Sequence, residues 1–281
     1  MENPGFKLSD IFSNIKGHQA SAEIIRRFST NPVDIREFAF EGIDFGNKTR
    51  FIDLGCGFGF LTEALKNKIE PGSTITGIDC HEEYRNVYLE VCERIGIKGQ
   101  FLNTGVEILA AFEPSGFDVV LSSYSLYFFP EVLPLLSRII DKKGIAVFIT
   151  HASTHLRELT ESVLNYIRRS GFSDVNLLPH DRLIHNFTAE NGGSKLGQFF
   201  GKVEKKEYRN QLIFKEDSVS AFLDYFSYKR SFFMPEKLSG DNTLYKKIER
   251  SLVEQFCNKE GCRITKNDAV FICSEPIKNQ L

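Results

Sequence analysis

Between residues 50 and 150 the chain alternates short apolar runs with segments of helical periodicity, and no other feature restricts its fold as strongly. The runs lie at 50–54, 73–79, 99–103, 117–122 and 144–150, and the helical patterns at about 60–68, 82–95, 105–112 and 131–140. A parallel strand pair needs a crossover of roughly a dozen residues, usually a helix. Strands that are apolar almost throughout are those buried on both faces. The pattern therefore predicts an α/β fold, a parallel sheet with helices on both faces.

Outside this block the texture changes. Upstream, Ala20, Ile24, Ile25 and Phe28 recur at helical spacing before Pro32, and a second amphipathic segment follows at 35–40. Downstream come a helical stretch at 155–170, an irregular segment ending near 193 and a helix at 194–200. A charged alternating run at 202–214 reads as the sixth strand, 216–260 as a helical insertion and 269–274 as the last strand. The resulting expectation is an N-terminal helical lid at 1–45 and a binding core at 46–150. Residues 151–192 and 216–262 are expected to form a helical substrate cover, and 193–215 and 263–281 to complete the core sheet.

The turn after the first strand carries the chemistry. In FIDLGCGFGF, Asp53, Gly55, Gly57 and Gly59 stand where an apolar strand meets a helical segment. Glycine permits a sharp turn with no Cβ to block a ligand, and a helix start offers free N–H groups. Twenty residues beyond Gly59, Asp79 ends the second run, where a carboxylate can accept both hydroxyls of a ribose. The competing role for Asp79 is a helix N-cap.

With these residues in place, the chain resembles the class I, Rossmann-like family of S-adenosylmethionine-dependent methyltransferases, in its small-molecule branch. The family's first motif, an acid, an apolar residue and GxGxG, is matched by Asp53, Leu54, Gly55, Gly57 and Gly59; its acid after the second strand is matched by Asp79. A dinucleotide site wants GxGxxG instead, and here the third glycine comes one residue too early. Asp118 matches the acid that opens the family's fourth strand. The resemblance implies a seven-stranded, mostly parallel sheet with an antiparallel last strand. It also implies S-adenosyl-L-methionine as cofactor, S-adenosyl-L-homocysteine as product, and methyl transfer to O or N of a metabolite, as in secondary metabolism.

The cofactor contacts so implied are Asp53, Gly55, Cys56, Gly57, Gly59, Asp79, Cys80, Thr104, Gly105, Val106, Ser122 and Ser123. Where relatives carry an acid for the adenine amino group this chain has Gly105, so the backbone of 104–107 or the Glu107 side chain takes that place. The loop after the fourth strand has Tyr127 and Phe128 where many relatives carry a histidine pair, which leaves the base unassigned. Candidate catalytic groups are His151, the first choice, His155 and Tyr127; the competing role of each histidine is a cap or a satisfied carbonyl partner. Candidate substrate contacts are Tyr124, Tyr127, Tyr225 and Arg230, the last two from the run FLDYFSYKRSFF, which equally reads as an ordinary amphipathic helix.

Composition narrows the partners. Thirty-five basic against 37 acidic residues give a net charge of -2, so the chain has no bulk attraction for a phosphate backbone, and the cluster Lys202, Lys205, Lys206 reads as a solvated face. Six cysteines show neither a CxxC pair nor zinc spacing, as expected of reduced thiols in the cytoplasm, and no metal is expected. Neither a leader peptide nor an apolar stretch of about 18 residues is visible. The 26 phenylalanines read chiefly as core. The expected partner is a small-molecule methyl acceptor, not nucleic acid or a membrane; a homodimer is compatible with this reading. The competing functions are a non-catalytic nucleoside-binding scaffold of the same fold and an NAD-dependent oxidoreductase.

Overall fold

A computed structural model describes residues 11–256 and 261–278. The first ten residues of the expected lid, Cys257 and the end of the expected insertion at 257–260 lie outside the described residues. The strands are β1 (Arg50–Leu54), β2 (Thr74–Asp79), β3 (Lys98–Asn103), β4 (Phe117–Ser123), β5 (Ile140–His151), β6 (Phe200–Tyr208), β7 (Gln211–Phe214), β8 (Cys262–Thr265) and β9 (Asp268–Pro276). The helices are α1 (Ile15–Phe28), α2 (Ile35–Phe40), α3 (Arg85–Ile95), α4 (Leu133–Ile139), α5 (Arg157–Arg169), α6 (Pro179–Ile184), α7 (Gly192–Leu196), α8 (Val219–Tyr228), α9 (Arg230–Phe233) and α10 (Asn242–Phe256). They fall into two compact units, one of residues 33–152, 186–208 and 268 onward, the other of residues up to 32, 153–185 and 209–267.

The first unit is built on a seven-stranded sheet in the order β3-β2-β1-β4-β5-β9-β6. Strands β1 to β5 pair in parallel, and β9 runs antiparallel to both β5 and β6, as expected. Centrality follows from composition: Ile52 and Leu54 of β1 and Val119, Val120 and Leu121 of β4 are all fully buried. The chain lays β2 and β3 on one side of β1 and β4 on the other, so the strand order reverses between β1 and β4. In open α/β sheets the carboxyl edge at such a reversal is where ligands bind. Helix α3 buries Tyr88, Val91, Cys92 and Ile95, one face at helical spacing, and ends at Gly96, whose N–H bonds to Cys92 and Glu93 in a left-handed cap.

Two expected helices shrink. The pattern at 60–68 yields only a 3-10 turn over Thr62–Leu65, because the backbone leaves helical geometry at Lys66 and turns left-handed at Asn67. The pattern at 105–112 is likewise a 3-10 segment, Val106–Ala111.

The charged run expected as one sixth strand divides. Residues 200–208 form β6 at the sheet edge, whereas β7 pairs with β8 in a separate two-stranded sheet. Buried Asn210 marks the division: its side-chain oxygen accepts the N–H groups of Thr30 and Asn31, its own N–H donates to Asn267, and its carbonyl accepts the Lys266 N–H. Along β6, Lys205 pairs with Glu207 and Lys206 donates to the Phe38 carbonyl while covering the Phe38 ring, which uses the two lysines locally.

The second unit is helical around the β7–β8 pair. Leu159, Val163 and Ile167 of α5 pack with Phe214, Phe222, Phe226, Phe233, Tyr245 and Ile248. Phe226 lies stacked on Phe233 at 5.0 Å and on Tyr245 at 5.5 Å. Rings so placed supply the largest burial per side chain, and here they account for the aromatic run at 222–233. Glu158 ties α5 to β8 by accepting the N–H and hydroxyl of Thr265. Among the described residues no helix is long and apolar enough to cross a membrane, and Cys56, Cys80, Cys92, Cys262 and Cys273 are free thiols.

Candidate cofactor and active site

The glycine turn closes over the carboxyl ends of β1 and β2. The N–H groups of Gly55 and Cys56 both bond to the Ile78 carbonyl, which pins the turn to the neighbouring strand. Gly55 has φ +62°, and a Cβ there would lie 2.6 Å from the Ser125 Cβ; at Gly59, φ +83°, it would press on Val91. Both positions thus favour glycine for conformation, and Gly55 needs it for space as well.

Two carboxylates flank the turn. Asp79 accepts the Gly57 N–H on one oxygen and the His81 N–H on the other, each at 2.9 Å. It does not cap a helix: the following 3-10 turn starts at Glu82 behind His81, with no side-chain cap. Burial holds the Asp79 carboxyl above the usual range, opposed by these N–H bonds. Asp53, 1 % exposed, accepts the Thr62 hydroxyl at 2.6 Å on Oδ2, while its buried Oδ1 has no partner in the protein. Burial, moderated by Thr62 and reinforced by the nearby Asp79 charge, raises its pKa to about 7. An orphaned acceptor and a half-buried carboxylate beside a turn of positive-φ glycines suit a ligand carrying hydroxyls and a positive charge. A nucleoside with a sulfonium or ammonium group fits this set.

Cys56 lies buried in the turn and Cys80 is exposed beside Asp79. After β3, the Thr104 N–H bonds to the Asp79 carbonyl, and Gly105 precedes Val106 in the 3-10 segment. The Glu107 carboxylate folds back over Gly105, where a Cβ would fall on it. Position 105 itself carries no acid, and the Glu107 carboxylate lies over it. At the end of β4 the hydroxyls of Ser122 and Ser125 bond to each other, and Ser125 also donates to the Leu54 carbonyl; Ser123 is half-buried next to them. Asp118 is at the opposite end of β4, accepting the N–H groups of Thr49 and Arg50 and the Arg50 guanidinium, so it joins the amino ends of β1 and β4.

Beyond Ser123 the structure gathers three of the candidates. Tyr124 and Tyr127 stack on His151 with ring centroids at 4.6 and 5.7 Å and interplanar angles of 26° and 20°. The residue that holds this group together is Asp268, which the sequence reading missed. Its Oδ1 lies 2.7 Å from the His151 Nδ1, and its Oδ2 accepts the Tyr124 hydroxyl at 2.9 Å. Asp268 and His151 are 3 % and 9 % exposed. Asn186 bonds to the Tyr127 carbonyl and Ala189 to that of His151, fixing the surrounding loops.

The remaining candidates belong to the helical unit. The Nδ1 of His155 is 3.0 Å from the Nε2 of His180, whose Nδ1 bonds to Asp181. Burial, opposed by Asp181, lowers the His180 pKa. Tyr225, expected at a substrate, is instead fully buried in the aromatic core. Arg230 lies over the Tyr245 ring and donates to the Ser239 carbonyl, and it borders a cavity of about 1100 Å³ shared with Arg182 and Lys237. Packing thus explains Tyr225 without a ligand.

Comparison with known proteins agrees with the geometry of the sheet unit. Residues 51–144 match the family described as a methyltransferase domain. The chain is 32% identical over 102 residues to a ubiquinone biosynthesis O-methyltransferase of Methylococcus capsulatus, covering 35% of this chain and 42% of that protein. It is 34% identical over 89 residues to the nocamycin O-methyltransferase of Saccharothrix syringae, covering 31% of each. The chain thus spans less than half the length of these two relatives. The YcgJ protein of Bacillus subtilis has the same fold, with a TM-score of 0.52 at 16% identity over 94% of this chain and 100% of that one. Glycine turn, paired acids, strand order and family match converge: residues 51–144 form a methyltransferase domain carried on a Rossmann-like sheet.

Proposed function

We propose that the chain is an S-adenosylmethionine-dependent methyltransferase acting on a hydroxyl oxygen of a small molecule. The observation that carries this reading is Asp79 at the tip of β2, bonded to the Gly57 N–H of a turn in which Gly55, Gly57 and Gly59 all have positive φ. When bound, the cofactor supplies a methyl group already activated on a sulfonium. The chain's own part is to hold both reactants, exclude water and move a proton. Asp79 would accept the ribose hydroxyls, Asp53 a donor on its orphaned Oδ1, and the 104–107 backbone with Glu107 the adenine. Cys56, Cys80, Ser122 and Ser123 would line the same site. Tyr124 and Tyr127 offer electron-rich faces, which attract a cation. His151 would serve as the base.

Hydroxyl acceptors are favoured by the relatives, named as O-methyltransferases of ubiquinone biosynthesis and of nocamycin. A small acceptor rather than nucleic acid suits the near-neutral charge and the local pairing of Lys205 and Lys206. The test is incubation with methyl-labelled cofactor and a panel of phenols, enols and amines, followed by identification of the labelled product. Label on a hydroxyl oxygen, lost in His151→Ala, supports the reading; label on nitrogen alone contradicts it.

A further inference from the structure

Asp268 stands 117 positions after His151, yet β5 and β9 place the two directly opposite in antiparallel register. The carboxylate, nearly inaccessible, meets the His151 Nδ1 with one oxygen and the Tyr124 hydroxyl with the other. Tyr124 is itself in the left-handed region, φ +55°, with its N–H bonded to the Ile149 carbonyl. For a residue with a Cβ that conformation is unfavourable, and such strain gathers at functional sites. Stability alone does not explain the arrangement, because a buried ionic pair is often no more stable than an apolar one of the same volume. The imidazole is stacked against two tyrosine rings and bonded along its edge to a carboxylate.

We infer that Asp268 is a positioning residue that holds His151 in its Nδ1–H tautomer, leaving Nε2 as the nitrogen that takes the proton of a hydroxyl acceptor. A carboxylate has only lone pairs to offer, so the hydrogen between Asp268 and His151 belongs to Nδ1. Nε2 then carries the ring's basic lone pair. In the transfer, which rests on the methyltransferase reading above, the acceptor oxygen forms its bond to the methyl carbon while the carbon–sulfur pair returns to sulfur. The O–H proton passes to Nε2, and the O–H pair stays on oxygen. The positive charge of the sulfonium is thereby replaced by that of an imidazolium, directly against the Asp268 carboxylate. A weakly acidic hydroxyl, such as a phenol or enol, suits a base of this strength.

The test uses the full chain labelled with 15N-histidine. Two-bond 1H–15N correlation spectra report the tautomer of each neutral imidazole, and His151→Gln identifies the His151 signals. The expected result is a protonated Nδ1 and a bare Nε2 in the wild type, lost in Asp268→Asn; an Nε2–H tautomer in the wild type overturns the inference. With 3,4-dihydroxybenzoate as the hydroxyl probe, Asp268→Asn should lower kcat by roughly 10²–10⁴-fold, the usual worth of a positioned base, while cofactor affinity stays within about twofold. Asp268→Glu should restore part of the rate. Parallel loss of kcat and cofactor affinity would mark Asp268 as merely structural. Failure of the wild type to bind the cofactor would count against methyl transfer, and the tautomer spectra would still decide the role of Asp268.

Discussion

The Tyr124 hydroxyl donates to the Asp268 Oδ2 at 2.9 Å, joining the end of β4 to the start of β9 across the whole width of β5. The bond ties a tyrosine at positive φ to a buried carboxylate. Tyr124→Phe keeps the ring against His151 and removes one donor. A hydrogen bond to a charged group contributes about 1.5–3 kcal/mol. Urea unfolding should show a loss of that size; an unchanged midpoint would mean the bond contributes nothing in solution.

Gly55 and Gly96 make a matched pair, both with positive φ. At Gly96 nothing lies within 4 Å of an added Cβ, so Gly96→Ala should cost only the left-handed strain, about 1–2 kcal/mol. At Gly55 the Cβ would lie 2.6 Å from Ser125, so Gly55→Ala must also displace β4's end. Overpacking of this kind adds about 1–3 kcal/mol. Denaturation of both variants side by side should give a clearly larger loss at 55, together with loss of cofactor binding there alone.

Asp53 predicts a pH dependence. Its carboxyl, raised by burial to about 7, ionises near 4 in the unfolded chain. Between those values the folded state binds the extra proton, so this residue makes stability fall as pH rises from about 4 to 7 and has no further effect above that. Asp53→Asn should remove that slope. Thermal unfolding of both proteins from pH 4 to 8 checks it, and parallel curves would show that Asp53 is ionised in the fold.

The sheet was legible because its signals are local. Apolar runs such as Phe51–Leu54 need no partner to be recognised, and Gly55 to Gly59 with Asp79 lie within the single crossover from β1 to β2. Asp268 was not legible, since its role arises only when β9 inserts beside β5, a register that no neighbouring residue encodes. Tyr225 failed for a related reason: a tyrosine beside lysine and arginine looks like a binding group until Phe214 and Phe222 are seen to enclose it. The helix expected at 60–68 was cut short by the left-handed turn at Asn67, which periodicity does not register.

The most direct measurement is calorimetric titration of the purified protein with S-adenosylmethionine, S-adenosylhomocysteine and NADH, repeated with Asp79→Ala. Both sulfur nucleosides should bind with dissociation constants of about micromolar order, and loss of the carboxylate's hydrogen bonds should weaken them roughly 10- to 100-fold, with no binding of NADH. Binding of neither sulfur nucleoside, or of NADH in preference to them, would contradict the assignment of this site to methyl transfer.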